Sequence, residues 1–219
     1  MSEPSPRLLV AAHGTVSAAG RSTIEALRSA VAAARPAVQV DLCFLDVADP
    51  RLPDALDERP TVVVPALLTT GYHVLTDIPA AVAPHPATIL ARHLGPHPLL
   101  IDALVDRLGD ADAASTVLVC AGSSRAEAVA EIDAAAALLA ARVGNPVTVA
   151  TMGDDLPAVL AAIDQPFRVA TYLLCEGHFV DTLTAAVAGR GVASAPLGAH
   201  QAVVELIWLR YDEALGVVR

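Results

Sequence analysis

The 219-residue chain contains no lysine: all 14 of its basic residues are arginine. That excludes a P-loop lysine, a Schiff-base lysine and any other catalytic lysine. With abundant Ala, Val and Arg beside it, the absence reads as a bias toward G and C codons. Positive charge is scarce overall, the formal net charge being −10. Nucleic-acid binding, which needs phosphate-neutralising patches, is therefore not expected, and an anionic ligand must be met by a local site rather than by global attraction. Cysteine is sparse too. Cys43, Cys120 and Cys175 are odd in number and form no CxxC, so a disulfide framework, a zinc ribbon and an iron–sulfur site are excluded. Each lies in or at the end of an apolar run and reads as a reduced, buried thiol. No apolar run approaches the roughly 18 residues of a membrane span, and the short run before His13 is not a signal peptide. A soluble, cytoplasmic protein is expected. GxGxxG, GxSxG and HExxH are all missing, and the HGT at His13 lacks the preceding Arg that a phosphohistidine mutase wants, since Ala12 stands there.

What the chain has is repetition. LLVAAHGT (Leu8–Thr15) resembles VLVCAGSS (Val117–Ser124), PALLTTGYH (Pro65–His73) resembles TYLLCEGHF (Thr171–Phe179), and LGPHPLLIDALVDRL (Leu94–Leu108) resembles LGAHQAVVELIWLRY (Leu197–Tyr211). Each pair lies a little over 100 residues apart, in the same order, which argues for duplication. Two lobes are expected, at 1–108 and 115–219, with the Asp/Ala-rich stretch Gly109–Ser115 as linker.

Each half alternates strand and helix signals. Strands are expected at Arg7–Ala12, Val38–Leu45, Thr61–Leu67 and Ala87–Ala91, and again near Thr116–Ala121, Pro146–Met152, Phe167–Leu174 and Val192–Pro196. Helices are expected at Ser22–Arg35, Leu52–Leu56, Asp77–Val82 and Pro98–Leu108, then Ala126–Arg142, Leu156–Ile163, Val180–Ala188 and Gln201–Leu215. Such alternation gives an α/β fold of two similar lobes, each a four-stranded parallel sheet with helices on both faces. Ligands then bind at the carboxyl ends of the strands, here in a cleft between the lobes.

His13 follows the first strand, Asp46 the second, His73 the third, and Arg92 and His93 the fourth. A lone histidine is often only a hydrogen-bonded structural residue. His13, Asp46 and His73 gain weight by converging on one sheet edge, where two imidazoles and a carboxylate suit Fe, Co, Ni or Zn. His85, between two prolines, is expected in an exposed turn, and His97 and His200, in matching LGxH positions, as helix-start residues. In the second half His178 lies within one residue of the His73 position, but Ala121 or Gly122 stands where His13 would be, so that site is expected to be degenerate. Ser123, Ser124 and Arg125 either hold an acidic ligand group or simply cap a helix.

An HG[ST] loop after the first strand, Phe44-Leu45-Asp46 with Pro50, the element LL-x-x-G-x-H-x-x-x-D-I-P at Leu67–Pro79, and the duplicated lobe together resemble the class II tetrapyrrole chelatases. The similarity is to the long, two-lobed sirohydrochlorin chelatases of the CbiX/SirB type. The resemblance implies insertion of Co²⁺ or Fe²⁺ into sirohydrochlorin for cobalamin or siroheme synthesis, with His13 and His73 facing metal and macrocycle and Asp46 where the family usually has a Glu ligand. It departs from the family after Thr15, where Val16 and Ser17 replace an Arg and Arg21 is the nearest substitute. The expected metal set is thus His13, Asp46 and His73, with His13 and His73 catalytic. Thr15, Thr69, Thr70, Arg92, Ser123, Ser124 and Arg125 are the expected partners of the tetrapyrrole carboxylates, in a locally positive or donor-rich cleft. No cofactor beyond the substrate metal is implied, and a monomer is expected, because one chain supplies both lobes. A metal or tetrapyrrole carrier on the same fold is the alternative, and an unrelated two-lobed binding protein a third.

Overall fold

The computed structural model describes residues 5–109, 113, 115–153 and 156–217. Most of the expected linker, residues 110–112 and 114, lies outside them. The first half runs β1 (Arg7–Ala12), α1 (Ala18–Ala34), β2 (Val40–Phe44), α2 (Leu52–Ala55), β3 (Thr61–Pro65), a π-helical turn (His73–Asp77), α3 (Ile78–Val82), β4 (Thr88–Leu90) and α4 (Pro98–Leu108). The second runs β5 (Ser115–Cys120), α5 (Ala126–Val143), β6 (Val147–Thr151), α6 (Leu156–Ala161), β7 (Phe167–Tyr172), α7 (His178–Val187), β8 (Gly191–Ala193) and α8 (Gln201–Ala214). Every expected strand and helix is present, with ends shifted by a few residues.

All strand pairs are parallel, and the two sheets have matching orders, β2-β1-β3-β4 and β6-β5-β7-β8. β1 is buried along its whole length because helices cover both faces. The period of two then sorts its side chains. Leu8 and Val10 join the large central core, and Leu9 and Ala11 face outward into a smaller cluster with Leu52, Leu56 and Ile78. In the second sheet Leu118 and Tyr172 face the centre, while Val117, Val119 and Phe167 pack outward with Leu160 and Leu183.

The central core is continuous from one sheet to the other, filled by α1, α4, α5 and α8. Two of these helices exchange sides. α4, which closes the first half of the sequence, packs on β7 and α5; α8, which closes the second, packs on β3 and α1. The spans 1–108 and 115–219 therefore hold one sheet each, but the helix that ends each span lies against the other span's sheet. Polar contacts fix α8 there. Trp208 Nε1 donates to Val31 O at 3.1 Å, Arg35 makes a two-pronged ion pair with Asp212 at 2.7 Å on each oxygen, and Tyr211 Oη donates to Pro6 O. Arg210, 2% exposed, donates to the carbonyls of His93 and Leu94. His97 and His200 cap α4 and α8, each Nδ1 accepting the backbone N–H two residues on, at 3.2 Å.

Candidate metal and tetrapyrrole cleft

The carboxyl ends of β1, β3, β5 and β7 open onto one cleft of about 460 Å³ between the two sheets. From the first half it is lined by the loop after β1 (His13, Gly14, Thr15) and the loop after β3 (Leu67, Leu68, Thr69, Gly71, His73). From the second it is lined by Ala121 and Gly122 after β5, and by Leu173 through Phe179 after β7.

His13 is held by its own backbone. Leu45 N donates to Ala12 O at 2.9 Å and Asp46 N to His13 O at 2.8 Å, which prolongs the β1–β2 pairing past the sheet edge. The chain then turns at Gly14, with φ +103°, where an added Cβ would lie 1.8 Å from Asp46 O. Only glycine permits both the backbone conformation and the close approach. His73 opens the π-helical turn, and its Nδ1–H donates to Asp77 Oδ2 at 2.7 Å. A carboxylate on one ring nitrogen fixes the ring and leaves Nε2 as a lone-pair donor. Asp77 was legible only as part of a motif; its i, i+4 spacing from His73 was the available signal.

The rings of His13 and His73 lie 4.9 Å apart between centroids, tilted by 51°. Residues from two different loops thus form an imidazole pair on one wall of the cleft. Burial and the neighbouring His73 both push the His13 imidazole below its ordinary pKa, more than the Asp46 carboxylate raises it. The shift favours the neutral form of His13, which is the metal-binding form.

The rest of the expected set is divided. Asp46 does not complete a three-ligand cluster: among the described residues no group of three or more His, Cys, Asp or Glu side chains is gathered for a metal. Its Oδ1 instead accepts the Val47 N–H at 2.8 Å and Arg51 Nη1 at 3.3 Å, which hold its pKa below the usual carboxylate range. The turn it closes puts Val47 at φ +52°, a strained conformation for a β-branched residue. Thr15 and Thr69 line the cleft, but Thr70 does not. It is buried, its N–H and hydroxyl both bonded to Glu131 at 2.5 and 2.7 Å. Arg92 is exposed, and neither it nor Ser123, Ser124 or Arg125 lines the cleft. Ser123 Oγ accepts the Arg125 N–H, as in a plain local turn before α5. Arg21 is committed to its own loop, donating to Val16 O at 2.8 Å. Among the described residues no arginine lines the cleft; of the locally positive or donor-rich lining expected, Thr15 and Thr69 are present beside apolar walls, backbone and one carboxylate, Glu176. His85 is half-buried rather than exposed.

Hydrogen-bond register aligns the two halves at the site. Leu45 N to Ala12 O matches Met152 N to Cys120 O, so Ala121 occupies the His13 position and Gly153 that of Asp46. Leu94 N to Leu67 O matches Leu197 N to Leu173 O, so Phe179 occupies the His73 position and His178 that of Tyr72. Both imidazole positions are apolar in the second lobe.

Two parallel 2-1-3-4 sheets thus open their carboxyl ends onto a shared cleft, with an imidazole pair on one wall, and proteins of known structure share this architecture. Residues 7–111, which include the imidazole pair, match the CbiX family model. SirB from Bacillus subtilis with Fe³⁺ superposes with a TM-score of 0.78 at 20% identity, covering 95% of each chain. The sirohydrochlorin chelatase SirB from B. subtilis subspecies spizizenii in complex with cobalt gives 0.75 at 20% identity over 96% of each chain. CbiX, the terminal enzyme for siroheme biosynthesis in denitrifying bacteria, gives 0.72 at 24% identity over 95% of this chain and 99% of that one. No curated protein sequence matches the chain. Among the described residues no helix is long and apolar enough to cross a membrane.

Proposed function

We propose that the chain inserts a divalent metal, cobalt or iron, into sirohydrochlorin at the cleft between its lobes, in cobalamin or siroheme synthesis. The observation that carries this reading is the His13–His73 pair, 4.9 Å apart on the cleft wall of a CbiX-type lobe. The iron and cobalt in the SirB structures of the same fold support it. Imidazoles at this separation can share one first-row ion through bonds of about 2 Å. Asp46, whose own backbone N–H bonds to His13 O, supplies negative charge beside the pair.

Insertion must also remove two pyrrole N–H protons. As metal–nitrogen bonds pass from imidazole to pyrrole, the released imidazole nitrogens accept those protons. The mainly apolar walls take the faces of the macrocycle, and Phe179 presents an aromatic ring in the position that mirrors His73. Without arginine among the described lining residues, the carboxylates of the substrate remain at the hydrated mouth, near Thr15 and Thr69. We place the reaction in the cytoplasm, on a single chain that provides both walls, with the metal site in the first lobe alone.

The test is Co²⁺ insertion into sirohydrochlorin, followed by absorbance. His13→Ala and His73→Ala each abolish most of the rate with little change in melting temperature, and Asp46→Asn raises the Co²⁺ needed for half-maximal rate. His178→Ala retains most activity. Near-normal rates in both imidazole variants would overturn the assignment, and wild-type binding of metal and tetrapyrrole without turnover would make the protein a carrier.

A further inference from the structure

The β3 loop that carries His73 is held from the opposite lobe by one carboxylate. Glu131, on α5, accepts the Thr70 backbone N–H on Oε2 at 2.5 Å and the Thr70 hydroxyl on Oε1 at 2.7 Å. Its Oε1 also lies 3.2 Å from His93 Nε2, off the hydrogen-bonding direction. A carboxylate that takes two donors of one residue fixes both position and orientation, and charge-assisted bonds are about twice as strong as neutral ones. Thr70 is three residues before His73, and Thr69 and Gly71 on either side of it line the cleft. The next cross-lobe bond along the same loop, Tyr172 Oη to Leu68 O at 3.2 Å, comes from β7.

The duplication supplies an internal comparison. In the register above, Glu131 of α5 corresponds to Thr23 of α1, whose hydroxyl turns back onto Ala19 O of its own helix. There the contact with the other lobe's loop is made by Gly20, where an added Cβ would lie 2.6 Å from Glu176 O. One half joins helix to loop by close approach of a glycine to a backbone carbonyl; the half that faces the imidazole loop uses a two-pronged carboxylate.

We infer that Glu131 is a positioning residue: through Thr70 it holds His73 against His13, so that the degenerate lobe sets the geometry of a metal site it does not itself furnish. This rests on the reading of His13 and His73 as the metal site. Removing an outer partner of a metal-binding histidine typically costs 10–100-fold in affinity. Acting one residue further out, Glu131→Ala weakens binding of Co²⁺ alone roughly tenfold and shifts the visible ligand-field absorption of the bound ion.

The experiment titrates the full-length protein with Co²⁺, without tetrapyrrole, and records affinity, absorption band and melting temperature. Glu131→Gln, which keeps one acceptor, and Thr70→Val, which removes only the hydroxyl bond, give intermediate losses and keep the test open if Glu131→Ala does not fold. Arg35→Ala breaks a different interlobe ion pair and serves as the destabilised control, with wild-type affinity and band. Wild-type Co²⁺ affinity and band in Glu131→Ala and Thr70→Val, with only the melting temperature lowered, would overturn the inference. His73→Ala separates the two failures. If it also leaves Co²⁺ binding unchanged, the imidazole reading has failed; if it abolishes binding while Glu131→Ala does not, only the positioning role has.

Discussion

Arg210 sits where the exchange of terminal helices is most exposed to test. Its guanidinium is 2% exposed and donates through Nε to His93 O at 3.0 Å and through Nη2 to Leu94 O at 3.2 Å. Both carbonyls belong to the segment after β4, in the first lobe, whereas Arg210 belongs to α8. The third contact, Nη1 to Glu213 at 2.8 Å, involves a carboxylate whose side chain is 44% exposed, so the ion pair itself adds little. Arg210→Met keeps most of the apolar stem and removes the donors. Buried ion pairs replaced whole by apolar residues often cost nothing, but here the two carbonyl acceptors stay in place without their partner. Each unsatisfied buried group costs about 1–3 kcal/mol, giving about 2–6 kcal/mol of lost stability for the two carbonyls. For a chain of this size that lowers the melting temperature by about 4–24 °C. Arg210→Lys recovers less than half, since one ammonium on a shorter stem does not reproduce a fork that serves two carbonyls. Urea and thermal melts followed by circular dichroism measure the effect. A change of less than about 0.5 kcal/mol in Arg210→Met would refute the view that α8 clamps the opposite lobe.

Gly14→Ala combines a positive φ that costs about 1–2 kcal/mol for a residue with a Cβ with a clash against Asp46 O. The Asp46 turn and His13 must move apart, so both Co²⁺ binding and melting temperature fall; an unchanged Co²⁺ titration would show that the His13 loop tolerates the shift. Asp57 gives a pH test. Bonds from Arg59 hold its carboxyl down from 3.8 to about 2. With the folded-state pKa depressed, its contribution is fully present above the unfolded value of 3.8 and is lost as pH falls toward about 2. Asp57→Asn is therefore less stable than wild type at neutral pH, and the gap in urea midpoint closes across that acid window. A gap that is constant with pH would assign it to lost packing instead.

Local pattern carried the fold a long way. The Val, Ile and Leu runs bounded by Gly, Pro and Asp specify strands buried on both faces, because period and burial act within a few residues. The duplicated motifs then repeat that specification, and strand-end placement brings His13 and His73 to one edge without further information. The exchange of α4 and α8 was not legible. Each helix is apolar enough to cover either sheet, and only the packing of the finished core, with the Arg210 fork on the His93 and Leu94 carbonyls, selects the opposite one.

The same division runs through the site. The sequence by itself determined which residues could meet at the strand ends: an imidazole after β1, another after β3, and a residue other than histidine at the position that mirrors His13. Tertiary structure decided what each polar group does there. Asp46 bonds its own turn because the Val47 N–H and Arg51 are nearer than the imidazole pair. Thr70 is turned from the cleft because Glu131, more than 60 residues later, accepts both its donors. Of the arginines considered for a polycarboxylate, Arg21 is spent on backbone and Arg92 on exposed surface. Residue type and spacing state which donors and acceptors exist; which of them pair depends on distances between segments far apart in the chain, and those arise only when the two sheets close on their shared core.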